Sequence, residues 1–316
     1  MVAAGGRFGV SDRGISGEER GSVVRPRFSL AWNGKGGKDY RLELGRRTLI
    51  MGVVNVTPDS FYDGGRYRDP AAAAEKALER AAAGADVVDI GGESSRPGSS
   101  PLSAAQEIAR VIPVIERISG KIRLPLSIDT WKAPVAREAL RAGAEIVNDI
   151  SALRFDPEMA AVAAVSSGPV ILMHMKGTPR EMQEAPFYAD VIGEIGAFFR
   201  ERVAWAAERG IAPERVILDP GIGFGKLLPH NLEILRRLKE FARLGRPLLV
   251  GPSRKSFLGL ILDRPPEERL FGTAAAVAAA ILHGAHLVRV HDVREMKDVA
   301  EVIDRIAESG AGPEQT

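Results

Sequence analysis

Asp129, Asn148 and Asp219 each close a short apolar run and offer a carboxylate or amide at its end. The same holds for Asn55, Asp89 with Glu93, Asp149, His174, Ser253-Arg254-Lys255, and Arg289 with His291 and Asp292. A carboxylate meets an amidine-like N–H edge through two parallel hydrogen bonds, so Asp129 and Asp219 suit a nitrogen-rich heterocycle. Arg289 and His291 occupy alternate positions of one run and face the same way, which suits an anion. Lys255 and Arg254 precede a helix that should begin near Ser256, so free backbone N–H groups and the positive dipole end add to an anion site.

Two segments between the runs carry further donors. Asn55-Val56-Thr57-Pro58-Asp59-Ser60-Phe61-Tyr62-Asp63-Gly64-Gly65 combines oxygen donors with a Gly-Gly hinge, as a hard cation and a lid require. Gly91-Gly92-Glu93-Ser94-Ser95-Arg96-Pro97-Gly98 presents Arg96 either to an anionic substrate group or to solvent. Single Asn, Asp or Ser residues at such places are ordinarily turn and cap formers. A polar residue after every one of eight runs is hard to explain as capping alone. Asp219-Pro220-Gly221-Ile222-Gly223-Phe224-Gly225-Lys226 fails both glycine-rich nucleotide fingerprints, lacking Ser or Thr at 227 for one, and Gly at 226 for the other.

The runs that would position these residues cover 49–54, 86–90, 125–128, 145–147, 169–173, 216–218, 247–250 and 286–290. Helical periodicity follows each, over 71–83, 104–118, 135–142, 157–165, 191–209, 231–243, 271–283 and 293–308. Strands apolar throughout must be covered on both faces, which means a parallel sheet with helical crossovers. Eight such units define an α/β protein with a single (β/α)8 barrel, whose chemistry sits at the C-terminal ends of the strands. Segments 28–32 and 40–44 flank a Gly-rich turn and predict a hairpin ahead of it. The expected division is a disordered tail over 1–27, one barrel domain over 28–310 and a C-terminal tail over 311–316.

Composition narrows the chemistry. Of 316 residues, 43 are Lys or Arg and 41 are Asp or Glu. The excess of two lies in residues 1–27, where five Arg face three acidic residues, so no basic tract marks a nucleic-acid partner. No apolar stretch approaches the ~20 residues of a membrane span. Cysteine is absent, which excludes thiolate nucleophiles and Cys-based metal sites and leaves oxygen or imidazole ligands, with Mg2+ the expected ion. A cytoplasmic location is expected, and small helix residues over 274–280 suit packing against a second copy of the chain.

Taken together, the segments 51–65 and 91–98, Ser127-Ile128-Asp129-Thr130, Val147-Asn148-Asp149, Met173-His174-Met175-Lys176-Gly177-Thr178-Pro179, 219–226, Ser253-Arg254-Lys255 and Arg289-Val290-His291-Asp292 resemble dihydropteroate synthases over residues 48–310. The resemblance implies a transferase of folate biosynthesis, using Mg2+, that joins 6-hydroxymethyl-7,8-dihydropterin diphosphate to 4-aminobenzoate. It implies that Asp129, Asn148, Asp219 and Lys255 bind the pterin, that Asn55 and Asp63 hold the metal, and that Arg289 and His291, with Asn55, bind the diphosphate. Ser95, Arg96, Phe224 and Ser256 match the aminobenzoate side. The same resemblance implies a sulfonamide target. Asp129, Asp219, Lys255, Arg289 and His291 would then carry the catalysis, with Arg96, Lys255, Arg289 and His291 as the local positive charge. Ser95 in place of the commoner Thr keeps the hydroxyl, and Leu227-Leu228-Pro229 departs from the small polar residue usual after Lys226. A methyltetrahydrofolate:corrinoid methyltransferase shares the barrel but does not need the arginine loop or the anion sites. A silent pterin-binding paralogue would be expected to lack some of these residues.

Overall fold

The structure, a computed structural model, describes residues 25–57, 70–94 and 101–309. It opens with an antiparallel hairpin of β1 (Phe28–Asn33) and β2 (Asp39–Leu44), in register from Phe28 opposite Leu44 to Asn33 opposite Asp39. Burial alternates along both strands, as expected where only one face is covered. The next strands are β3 (Leu49–Asn55), β4 (Val87–Gly91), β5 (Leu126–Asp129) and β6 (Ile146–Asp149). They are followed by β7 (Val170–Met173), β8 (Val216–Asp219), β9 (Leu249–Val250) and β10 (Leu287–Val290). These eight are buried almost throughout and pair in parallel in the order β8-β7-β6-β5-β4-β3-β10-β9. A parallel bridge from Leu218 to Leu248 joins the two ends, so the sheet closes into a (β/α)8 barrel.

The crossovers are α1 (Pro70–Ala82), α2 (Ala104–Ile118), α3 (Ala133–Ala142), α4 (Met159–Val165) and α5 (Val191–Ala207). The last four are α6 (Leu228–Arg236), α7 (Ser256–Leu262), α8 (Leu270–Leu282) and α9 (Val293–Ser309). α2 starts on a capping box: the Ser103 hydroxyl accepts the Gln106 N–H while the Gln106 side chain accepts the Ser103 N–H. The helix expected over 231–243 is two pieces, α6 and a tighter 3-10 segment over Leu238–Leu244. The unit after β9 holds both the seven-residue α7, which starts at Ser256 as expected, and α8, which matches the helix expected over 271–283.

The hairpin closes the N-terminal end of the barrel. Leu30, Trp32, Tyr40, Leu42 and Leu44 form one buried cluster with Leu49, Met51, Val87, Ile146, Ile171, Ile217, Leu249 and Leu287 of the strands. Each large side chain so buried contributes about 1.5–3 kcal/mol. The folded chain begins ahead of the expected boundary at Phe28. Arg25 is buried and donates to Thr48 Oγ1 (2.7 Å), the Ala285 carbonyl (2.9 Å) and Asp304 Oδ1 (2.5 Å) on α9. Residues 1–24 and 310–316, which hold nearly all of both expected tails, lie outside the described residues.

Candidate active site

Five strands deliver a polar floor to the mouth of the barrel. Asp129 ends β5, Asn148 lies near the end of β6, Asp219 ends β8, and Arg289 extends from β10. Arg289 Nη2 donates to Asp129 Oδ2 (2.6 Å), and its Nε donates to Asp89 Oδ2 (2.6 Å) on β4. Asn148 Nδ2 donates to the same Asp89 oxygen at 3.2 Å. Asp219 Oδ1 accepts the Gly221 N–H at 2.8 Å. Burial pushes the Asp219 carboxyl up to about 6, against the Gly221 hydrogen bond and the nearby Lys255, Arg289 and Lys226. Asp129 is also raised, by burial first, with Arg289 opposing and Asp89 and Glu107 adding to the shift. Asp149 plays a structural part instead, accepting the N–H groups of Ser151 (2.7 Å) and Leu153 (3.0 Å) to fix the turn after β6.

The anion side comes from the ends of β9 and β10. Lys255 Nζ lies 4.0 Å from the centre of the Phe224 ring, a cation–π contact that sets the Asp219–Lys226 segment against the β9 exit. Arg254 adopts the left-handed conformation (φ +57°), its N–H bonds to Thr273 Oγ1 of α8 (3.0 Å), and its guanidinium is committed to Asp292 at 2.5 and 3.1 Å. Arg254 therefore frames the loop, and Lys255 alone of the pair turns towards Phe224. Ser253 Oγ accepts the His291 backbone N–H (3.2 Å) and stands 3.0 Å from His291 Nδ1. Burial, reinforced by Arg289, Arg254 and Lys255, drives the His291 ring down to about 3. Burial and these neighbouring cations thus favour the neutral form of the ring.

Apolar side chains wall the floor on one side: Ile150, Met173, Met175, Met182 and Phe224 form a cluster against Trp131 and Phe155. Behind Phe224 lies a pairing, of Lys226 with His174, that the sequence did not bring together. Lys226, 3% exposed, donates to the carbonyls of His174 (3.2 Å) and Phe224 (2.9 Å) and stands 3.0 Å from His174 Nδ1. Burial lowers Lys226 to about 7 and holds His174 well below the ordinary imidazole value. The pair ties the exits of β7 and β8 together. Asp89 was visible as a strand-end residue, yet its part in the site was not, because only the folded barrel shows that it reaches β6 and β10. On the next loop, Lys132 bridges Glu93 and Glu107, and Glu93 also accepts the Leu102 N–H.

Asn55 is half-buried at the end of β3, beside Gly91 of β4, and Ser256 opens α7 with its side chain exposed at the mouth. Asp63, Ser95 and Arg96 lie outside the described residues. A separate cavity of about 520 Å³ sits at the other end of the molecule, lined by Lys35, Arg137, Arg141 and Glu145 among others. Its cations are already engaged: Arg137 with Glu158, Arg141 with Glu138, and Lys35 with the Arg141 carbonyl. The convergent polar groups all belong to the mouth.

A closed (β/α)8 barrel with carboxylates and an amide on the floor, an aromatic and methionine wall, and cations at its last two strand ends defines an enzyme class. Residues 51–291 match the family described as pterin binding enzymes, and the chain belongs to that family. Its relatives are dihydropteroate synthases. That of Synechocystis is 50% identical over 263 residues, covering 83% of this chain and 91% of the relative. A solved structure of the Xanthomonas albilineans dihydropteroate synthase with 4-aminobenzoic acid superposes with a TM-score of 0.82 at 43% identity, covering 90% of this chain and all of the other. The same enzyme in complex with 7,8-dihydropteroate gives 0.79 at 41% identity, with the same coverage.

Proposed function

We propose that the chain condenses 6-hydroxymethyl-7,8-dihydropterin diphosphate with 4-aminobenzoate, releasing 7,8-dihydropteroate and diphosphate. The observation that carries this reading is the convergence of Asp129, Asn148, Asp219 and Arg289 on one floor beside Lys255 and Phe224. The ring lies over the floor, with its N–H edge on Asp129 and Asp219 and its remaining polar atoms on Asn148 and Lys255. The C–O bond to the diphosphate breaks at a carbon attached to an electron-rich ring, and the two carboxylates favour the positive charge that spreads into it. Arg289 and His291 receive the departing diphosphate. The amine nitrogen of 4-aminobenzoate forms the new C–N bond and then loses a proton; as a neutral nucleophile it needs positioning more than a base. Phe224 and Ser256, with Ser95 and Arg96 of the preceding loop, bind its ring and carboxylate.

Mg2+ belongs to the same reading. Among the described residues no cluster of three acidic or imidazole groups could hold a metal, but Mg2+ takes few protein ligands and completes its shell with water and substrate phosphates. Asn55, a hard oxygen donor at the mouth, and Asp63 fit that requirement. The bound ion would neutralise charge on the leaving diphosphate.

A homodimer is proposed from the outer face of α7 and α8. Leu260 is 71% and Phe271 85% exposed, with Ile261 also exposed, and these are the apolar side chains that a second copy would cover. A cysteine-free chain suits the reducing cytoplasm, and among the described residues no helix is long and apolar enough to cross a membrane.

The test is release of diphosphate by the purified protein with the pterin diphosphate and Mg2+, with and without 4-aminobenzoate. Release that depends on 4-aminobenzoate and is competed by a sulfonamide is expected. Absence of product refutes the reading.

A further inference from the structure

Asp89 is fully buried, and the mechanism above gives it nothing to do. Its place in the register explains why. On β4 it stands opposite Ser127, two residues before Asp129 on β5, and opposite Val53, two residues before Asn55 on β3. It therefore lies deeper along its strand than Asp129 and Asn55 do along theirs, and it is fully enclosed by its neighbours. One of its oxygens nevertheless takes two donors from other strands, Arg289 Nε from β10 at 2.6 Å and Asn148 Nδ2 from β6 at 3.2 Å.

We propose that Asp89 is the positioning residue of the pterin half of this site, a clamp beneath the floor that sets the orientation of both Asn148 and Arg289. A carboxylate can only accept, so Asn148 must turn its NH2 group down to Asp89 and its carbonyl oxygen up to the ligand. Without that partner the amide is free to flip and present the wrong polarity to the ring. Arg289 is held at Nε, which fixes the plane of the guanidinium and aims its Nη edge at Asp129 and the mouth. The bond to Asp129, a partly accessible residue, is the exchangeable one, and the bond to buried Asp89 is the pivot. When a ring N–H takes Asp129, Arg289 keeps its anchor and turns its Nη atoms to the diphosphate. Asp89 thereby serves both parts of one substrate while touching neither.

The inference rests on the pterin-binding reading, so the test separates the two. Calorimetry measures 6-hydroxymethylpterin and inorganic diphosphate binding to the wild type, Asp89→Asn and Asp89→Ala, independently of turnover. A wild type that binds pterin but makes no product refutes the synthase reading and leaves this test intact. Asp89→Asn keeps an acceptor of the same shape without the charge, and is expected to weaken pterin binding about five- to tenfold. Asp89→Ala leaves Arg289 Nε and Asn148 Nδ2 without their acceptor, and a loss of about a hundredfold or more is expected. Both variants should leave the KM for 4-aminobenzoate unchanged and lower kcat/KM for the pterin diphosphate.

Three results overturn the proposal: pterin affinity within twofold of wild type in Asp89→Asn, equal losses in the two variants, which would make charge the whole effect, or equal losses for pterin, diphosphate and 4-aminobenzoate, which would mean general damage. Should Asp89→Ala fail to fold, the comparison of Asp89→Asn with wild type decides on the pterin and 4-aminobenzoate readings alone.

Discussion

Asp219 illustrates how a single carboxylate is made useful at some expense to the fold. Burial raises it from its ordinary 3.8 to about 6. Below pH 4 it is protonated in both folded and unfolded chains, and the burial has no electrostatic penalty. As pH rises from 4 to 6 the unfolded chain releases its proton first, so stability falls across that window by about 2–3 kcal/mol and the loss is complete above it. Asp219→Asn removes this loss. Its unfolding temperature should exceed that of wild type at pH 8 and match it at pH 4 by calorimetry, while pterin binding disappears. In the wild type, pterin affinity should fall as pH drops below about 6, because the ring N–H edge then meets a protonated acid. Asp129, Asn148 and Asp219 were readable as ligands because each closes an apolar run, and in a barrel that position is the mouth. Lys226 was not, since its partners are backbone carbonyls of two different loops, and no local pattern announces them.

At the level of elements, the exits of β8 and β9 act as one unit. Gly223 has φ +82°, and a Cβ there would meet Lys255 Cδ at 3.3 Å. Gly223→Ala should therefore cost about 1–2 kcal/mol in denaturant unfolding, from the left-handed backbone alone. It should also raise the KM for the pterin diphosphate, because Lys255 is pushed off the Phe224 ring. The eight strands and most helices follow from periodicity, since runs covered on both faces leave an unmistakable apolar signature. β9 and α7 are short, and the run 247–250 and the helix start near Ser256 announce their places but not their lengths. A two-residue strand has no measurable period, and seven residues of helix between Lys255 and Asp263 barely complete two turns. Their geometry is imposed from outside, by Thr273 holding the Arg254 N–H and Arg269 holding the carbonyls of Arg254 and Lys255.

The whole molecule is set by contacts far apart in sequence. Arg25 and Asp304 meet across 279 positions, a pairing that neither residue signals by its neighbours. The outer face of α7 and α8 is the other large-scale feature. Phe271→Glu should shift the assembly from dimer to monomer in sedimentation velocity while the monomer keeps its unfolding temperature; a wild type that sediments as a monomer would refute the dimer. Finally, the packed interior and the hairpin beneath it leave the barrel open to reactants at its mouth alone. Both reactants must arrive through the same opening by which diphosphate and product depart, so traffic has an order imposed by depth. On the proposed reading, the ring that rests on the floor is expected to be seated before its partner. The joined product, spanning both compartments, can be withdrawn only as one piece.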